Sequence, residues 1–180
     1  MEQEQQELSA EQLSELLQIR RDKLTALREA GKDPFTITKF NVTGYSGTIK
    51  ETFVDPAEGE ESTMTVSLAG RIMSKRGMGK AGFIDIQDHT GRMQSYVRKD
   101  HLGDEEYEWF KKYDIGDIVG IEGEVFRTQK GQISVKADAV KLLSKSLLPL
   151  PEKYHGLTDK EMRFRQRYVD LMVNPEVKQN

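Results

Sequence analysis

Residues 66–98, with the sequence VSLAGRIMSKRGMGKAGFIDIQDHTGRMQSYVR, decide the fold, because they hold alternating segments separated by turn residues. From residue 63 onward apolar and polar side chains alternate with a period of two, which predicts a strand with one buried face. One face carries Val66, Leu68, Gly70 and Ile72, and the other carries Ser67, Ala69, Arg71 and Met73. The glycine-rich run 76–82 then connects this strand to the next one.

The next two strands are predicted over residues 83–88 and 92–98, as a hairpin that turns at His89-Thr90-Gly91. In such a hairpin, residues whose numbers add up to about 179 lie opposite each other. The outward pairs are Phe83 with Tyr96, Asp85 with Gln94, and Gln87 with Arg92, while Ile84, Ile86, Met93 and Val97 point inward.

The remaining strands follow a short helix near residues 105–113 and a turn at 114–117. They are predicted over residues 118–128 and 132–142, joined by a turn at Lys130-Gly131. Three strands, a helix and two strands are the order of elements in an OB barrel. The predicted fold class is therefore mainly β with helices, built on a five-stranded OB-fold barrel.

An amphipathic helix is predicted before the barrel, from Ser9 to Ala30, with a leucine stripe on one side and Gly31 and Pro34 after its end. The stretch that follows is polar, with a loop at 55–59. Beyond the barrel, Leu147–Pro151 interrupts regular structure, and another helix is predicted from Thr158. We expect an N-terminal helical segment over 1–34, the barrel domain over 35–146, and a linker with a first helix over 147–180.

Composition narrows the possible functions of the 180 residues. The net charge is −3, cysteine is absent, and three histidines without ligand spacing predict no metal site. Neither a membrane span nor a secretory signal is predicted, so the expected location is the cytoplasm. No nucleophile–base set, Walker loop or complete dinucleotide fingerprint is found, so we expect no catalytic residue in this chain.

The outward face of the first hairpin is the candidate site. Phe83 offers an unstacked base a flat platform, and such stacking contributes about 1–3 kcal/mol per base. Gln94 opposite can both donate and accept, while Arg76 and Lys80 in the preceding loop could neutralise phosphates. In the alternative interpretation, Phe83 covers the barrel end and Gln94 is solvated.

Two longer stretches carry a family resemblance. Residues 69–97, AGRIMSKRGMGKAGFIDIQDHTGRMQSYV, resemble the anticodon-binding OB domain of bacterial class II lysyl-tRNA synthetases. Residues 148–177, LPLPEKYHGLTDKEMRFRQRYVDLMVNPEV, resemble that family's passage into its catalytic domain, at the first class II motif. Related aspartyl- and asparaginyl-tRNA synthetases share the barrel but lack the sequence HGLTDKEMRFRQRY of residues 155–168.

The resemblance implies that the barrel reads the uridine-rich anticodon of lysine tRNA. Phe83 would stack on the central uridine, and Gln94 and Arg76 would hydrogen-bond its base and neighbours. Arg71 would contact the backbone, and Gln132 stands where the family often has a glutamate that reads a flanking base.

For the parent enzyme the resemblance implies a homodimer that forms lysyl-adenylate from ATP and lysine with Mg²⁺. The residues for that step are expected beyond Asn180, so the chain itself is expected to bind tRNA without a cofactor. Two alternatives stay open, a generic single-strand-binding OB module and a purely protein-interacting module that uses the N-terminal helix.

Overall fold

Five strands close into a barrel in the computed structural model, which describes residues 10–37, 39–77 and 79–149. The strand order around the barrel is β1-β2-β3-β5-β4, and the only parallel pair among these strands is β3 with β5. The bounds are β1 Thr65–Arg76, β2 Ala81–Asp88, β3 Gly91–Arg98, β4 Ile118–Arg127 and β5 Ile133–Ser144. The predicted OB order of elements is confirmed, because α3 (Lys99–Leu102) and α4 (Asp104–Lys112) lie between β3 and β4.

The β2–β3 hairpin has the predicted register. Phe83 lies opposite Tyr96, Asp85 opposite Gln94, and Gln87 opposite Arg92. The alternate side chains form the barrel core and are fully buried; they are Ile84, Ile86, Met93 and Val97. Burial of apolar side chains on this scale supplies the main driving force for folding, at roughly 1.5–3 kcal/mol per large side chain.

Strand β1 departs from simple alternation at Met73. Ile72 pairs with Ile86 and Ser74 pairs with Asp85, so one extra residue lies on β1 between these two pairs. Such a bulge reverses the alternation of the residues that follow it. Met73 is buried, with 4% of its surface exposed, but it does not belong to the cluster of apolar side chains that fills the barrel. Arg76, which was expected in the loop, is instead the last residue of the strand.

The N-terminal helix α1 spans Ala10–Glu29 and confirms the predicted helix within the described residues. The N–H of Lys32 donates to the carbonyl of Leu27 and the N–H of Gly31 to that of Arg28, at 2.8 and 3.0 Å. These two bonds make a Schellman motif, for which the positive φ of 72° at Gly31 suits glycine. Leu24 and Leu27 are buried, whereas the helix's first half exposes Leu13, Leu16 and Ile19.

Helix α2, Ser46–Thr52, lies in the polar stretch for which no helix was predicted. A carboxylate oxygen of Asp88 accepts the Ser46 N–H at 2.7 Å, and Thr90 Oγ1 accepts the Gly47 N–H at 2.9 Å. The partners of the first turn therefore come from the distant β2–β3 turn, which local sequence does not reveal. The predicted capping box at Ser9 and the helix from Thr158 lie outside the described residues.

A buried charge cluster joins α1, the turn before β4 and the residues after β5. Its members are Lys23, Asp114, Asp117 and Lys145. Lys145 Nζ donates to Asp114 at 2.7 Å and to both oxygens of Asp117 at 2.8 and 2.9 Å. The side chains of Lys145 and Asp117 are 1% and 0% exposed, so each charge depends on its partner rather than on water.

Candidate nucleic-acid interface

Three aromatic side chains follow one another across the outer surface of the barrel. The ring centroids of Phe83 on β2 and Tyr96 on β3 are 4.8 Å apart, with 33° between the ring planes. Those of Tyr96 and Phe126 on β4 are 6.5 Å apart. All three side chains are only partly buried. We call these rings, together with Gln94 and Arg76, the aromatic face.

Gln94 lies on this face at the register position between Asp85 on β2 and Ser134 on β5. It is 6% exposed, and its amide oxygen Oε1 accepts a hydrogen bond from the hydroxyl of Ser134 at 2.9 Å. The alternative in which Gln94 is merely solvated is therefore wrong. Ser134 is fully buried, so the pair is a fixed element of the surface and not a flexible side chain.

Arg76 adjoins Phe83, because the two residues are partners in the β1–β2 register. Its guanidinium carbon lies 5.8 Å from the centre of the Phe83 ring, and Nη2 lies 3.8 Å from Asp85 Oδ2. Asp85 also accepts a 2.5 Å hydrogen bond from Ser74 Oγ. The Arg76 side chain is 57% exposed, so it keeps most of its donors for a ligand.

Lys80 and Gln132 are exposed near the ends of the strands that carry the aromatic face. Lys80 directly precedes β2, and its carbonyl accepts the N–H of Lys99 at 2.9 Å. Gln132 directly precedes β5, and its backbone is held by Thr128 across the β4–β5 turn. Neither side chain has a hydrogen-bond or ionic partner within the described residues, so both are free to meet a ligand.

Arg71 is separated from the aromatic face. It pairs with Gln87 rather than with Phe83, and its Nη1 donates to the carbonyl of Gly116 at 2.6 Å. Burial lowers the pKa of the Arg71 guanidinium, and the nearby Asp117 carboxylate partly offsets that effect. The structure thus gives Arg71 a contact inside the protein, next to the buried charge cluster.

Two residues of this surface escaped the sequence analysis. Phe126 lies near the β4–β5 turn, and alternation along β4 would have put it on the outside together with the hairpin aromatics. Ser134 carried no local signal, because its contact with Gln94 depends on the parallel pairing of β3 with β5, residues 40 positions apart.

The described residues show no group of three or more His, Cys, Asp or Glu side chains that could hold a metal ion. None of the helices in the described part combines the length and apolar character needed to cross a bilayer.

Comparison with known proteins supports both the OB fold and the resemblance to lysyl-tRNA synthetases. Residues 66–143 match the tRNA anti-codon family, which is described as an OB-fold nucleic acid binding domain. The chain is 54% identical over 170 residues to the lysine–tRNA ligase of Lysinibacillus sphaericus, covering 93% of this chain and 34% of that protein. It is 51% identical over 176 residues to the Bacillus subtilis lysine–tRNA ligase, covering 97% and 35%.

The lysine–tRNA ligase of Syntrophomonas wolfei is 55% identical over 167 residues, with 93% of this chain and 33% of that protein covered. The chain thus spans about a third of the length of the curated relatives that it matches. The barrel thus matches an OB-fold nucleic acid binding domain of the tRNA anti-codon family, and nearly the whole chain is similar to the N-terminal part of lysine–tRNA ligases.

Proposed function

We propose that the aromatic face binds the uridine-rich anticodon loop of a lysine tRNA. The observation that carries this proposal is the Phe83–Tyr96 pair, 4.8 Å between centroids, flanked by the Gln94 amide and the exposed Arg76. Flat rings with adjacent donors are what single-stranded RNA recognition requires, since unstacked bases both stack and hydrogen-bond. Arg76 and Lys80 would supply phosphate contacts.

In this proposal Phe83 stacks on a base, Gln94 and Arg76 hydrogen-bond to it and its neighbours, and Gln132 contacts a flanking base. Arg71 acts through the protein interior, with its backbone contact to RNA left as a weaker part of the proposal. The division of the chain into an N-terminal helical segment (1–34), the barrel domain (35–146) and a linker with a first helix (147–180) stays a proposal as well.

The activity of the full-length family is also a proposal for the protein to which this chain belongs. The name of the relatives implies ligation of lysine to tRNA, with ATP and Mg²⁺ as the expected cofactors and a cytoplasmic homodimer as the expected state. The 180 residues would contribute recognition of the tRNA, and formation of lysyl-adenylate would take place in a catalytic domain.

The test is Phe83→Ala, measured as binding of the 180-residue chain to a lysine anticodon stem-loop. Loss of one stacking platform weakens binding by about 5- to 150-fold, in line with about 1–3 kcal/mol per stacked base. Tyr45→Ala is the matched control, because Tyr45 is an exposed aromatic that packs on His89 at the other end of the hairpin. Equal affinities of the Phe83 variant and the parent would contradict the proposed site.

A second candidate is a general single-strand-binding module, which the aromatic row favours because stacking accepts every base. A competition titration separates the two functions. The labelled lysine stem-loop is displaced either by the unlabelled lysine stem-loop or by a stem-loop with an unrelated loop. An anticodon-specific domain requires much more of the unrelated competitor, whereas a general binder requires equal amounts of both.

A further inference from the structure

We propose that Ser134 is a positioning residue that fixes the Gln94 amide so that its N–H donors, and not its carbonyl oxygen, face the RNA. This inference rests on the proposed function of the aromatic face. It adds a residue that touches no base and makes a specific statement about which base edge the face accepts.

The first step is the hydrogen bond itself. Ser134 Oγ donates to Gln94 Oε1 at 2.9 Å across the parallel β3–β5 pair, in which these two residues are direct register partners. Ser134 is 0% exposed and Gln94 6%, so water does not compete freely for the bond. A hydrogen bond in such surroundings holds its partners more firmly than one at an open surface.

The second step concerns the other end of the amide. Within the described residues the Nε2 group of Gln94 has no hydrogen-bond partner. It is also not fully buried, in contrast to the hydroxyls of Ser46 and Ser67, which are buried without a partner. The amino group therefore reaches solvent on the aromatic face. Its two N–H donors are available to a ligand on the same face of the barrel as Phe83, Tyr96 and Arg76.

The third step is the cost of the opposite orientation. If the amide turned over, Nε2 would face the serine, and the serine's single proton would lose its acceptor. Among the described residues the Ser134 hydroxyl makes no other hydrogen bond, so the flip would strand a donor in a fully buried position. Leaving a buried donor unsatisfied is unfavourable, which keeps the amide oxygen turned toward Ser134.

The consequence is that Gln94 and Arg76 both present donors on this face, where the Asp85 carboxylate is already engaged by Ser74 and Arg76. Gln94 presents N–H groups, and the guanidinium of Arg76 carries donors alone. Such a surface suits a base with carbonyl oxygens along its edge. Uracil has a carbonyl oxygen where cytosine has an amino group, so the fixed amide favours uracil and meets cytosine donor to donor.

The experiment is a double-mutant cycle on base preference, with the parent chain, Ser134→Ala, Gln94→Ala and the double variant. Binding is measured to two RNA hairpins that differ in one loop base, uridine or cytidine, at the position that gives the parent its strongest preference. Ser134→Ala is expected to lower the uridine-over-cytidine ratio by about fivefold, since a mispaired base edge is typically discriminated on that scale. In the Gln94→Ala background the same change is expected to leave the ratio unaltered.

A second measurement tests the geometry without RNA. In the free protein, Ser134→Ala is expected to move the NMR signals of the Gln94 side-chain amide, while the backbone signals of the barrel core stay in place. Unmoved amide signals, or a base preference that Ser134→Ala lowers equally with and without Gln94, would overturn the positioning role. A parent chain that binds neither hairpin would overturn the proposed function, and the positioning of a base reader with it.

Discussion

Arg71 and Arg76 lie on the same strand, yet the two regions to which they belong use charge in opposite ways. Arg71 is half-buried beside the charge cluster, where its guanidinium donates to a backbone carbonyl at 2.6 Å. Arg76 lies at the aromatic face, 57% exposed, with a loose 3.8 Å approach to Asp85. Residue type is identical, so the difference arises from what the surrounding protein offers as partners.

The comparison shows that satisfied donors stabilise a fold and unsatisfied ones recognise a ligand. In the buried charge cluster every charged group has a partner within 2.9 Å. At the aromatic face the Gln94 amino group and most Arg76 donors have none within the described residues. A sequence-based search for basic residues near glycines finds both arginines, and only the hydrogen-bond partners separate them.

Lys145→Met gives the largest expected effect, on the structural side of the comparison. It leaves the carboxylate of Asp117 buried without its cation, and breaking a buried pair in this way costs about 3–5 kcal/mol. Chemical denaturation measures the loss of unfolding free energy. Lys141→Met, at an exposed position of β5 four residues before Lys145, is the control and should change stability by less than about 0.5 kcal/mol. A Lys145 variant as stable as this control would show that the cluster is not structural.

Replacing each of the two arginines by methionine is the next test. Arg71→Met removes a charged hydrogen bond to Gly116 and is expected to lower stability by about 1.5 kcal/mol, with RNA affinity almost unchanged in the folded protein. Arg76→Met is expected to leave stability within about 0.5 kcal/mol and to weaken RNA binding about fivefold. Thermal unfolding and RNA titration of both variants check the two readouts. The reverse pattern would contradict the division between the regions.

Lys75 gives the structural region a pH dependence. Burial lowers the pKa of its ammonium group from 10.5 to about 8, although Asp114 and Asp117 nearby raise it. Between about pH 8 and 10.5 the unfolded chain binds more protons at this residue than the folded chain, so stability rises with pH there. Burial raises the pKa of Tyr113, which acts in the opposite direction above about pH 10.

We therefore expect the unfolding free energy to rise by about 1 kcal/mol between about pH 8 and 9.5, a figure reduced for the partial exposure of Lys75. In Lys75→Met this rise disappears, whereas it persists in Lys141→Met. Denaturation at matched ionic strength across that range measures it. A parent chain whose stability is flat or falls over this interval would contradict the assignment to Lys75.

The smallest expected effect is that of salt on stability, and it should distinguish the buried charge cluster from the aromatic face. Pairs as buried as Lys145–Asp117 are poorly screened, so we expect stability to change by less than about 0.5 kcal/mol between about 0.05 and 0.2 M salt. RNA binding should weaken several-fold over the same range, with a slope near −0.7 for each phosphate contacted. Arg76→Met should reduce that slope and Arg71→Met should not. A salt-independent affinity would argue against phosphate contacts at the aromatic face.

Local pattern was enough to predict the barrel. Alternation and turn residues give the strands. The position of the hairpin turn gives the Phe83–Tyr96 and Asp85–Gln94 pairs. Helix α2 was missed because Asp88 and Thr90 supply its first hydrogen bonds from a distant turn. Ser134 was missed for the same reason, since its contact with Gln94 forms only when β3 and β5 pair.

The candidate site was predictable in its residues but not in its partners. Phe83, Gln94 and Arg76 follow from alternation and composition, and the structure brings them together. The donor-and-acceptor role expected for Gln94 changes, because Ser134 occupies the amide oxygen. Arg71 has the right charge and strand, and nothing in the local sequence indicates that the turn at Gly116 takes its donors.

The extra residue at Met73 breaks the link between position number and side along β1. Counting by twos from the inward Ile72 would turn Ser74 and Arg76 into the barrel, yet both lie beside outward partners, Asp85 and Phe83. Deleting Met73 would remove the extra residue and restore regular alternation, with Ser74 still opposite Asp85 and Arg76 still opposite Phe83. Among related barrels, a gap of one residue here would therefore leave the arginine on the ligand side, so chains with and without the bulge can present the same surface.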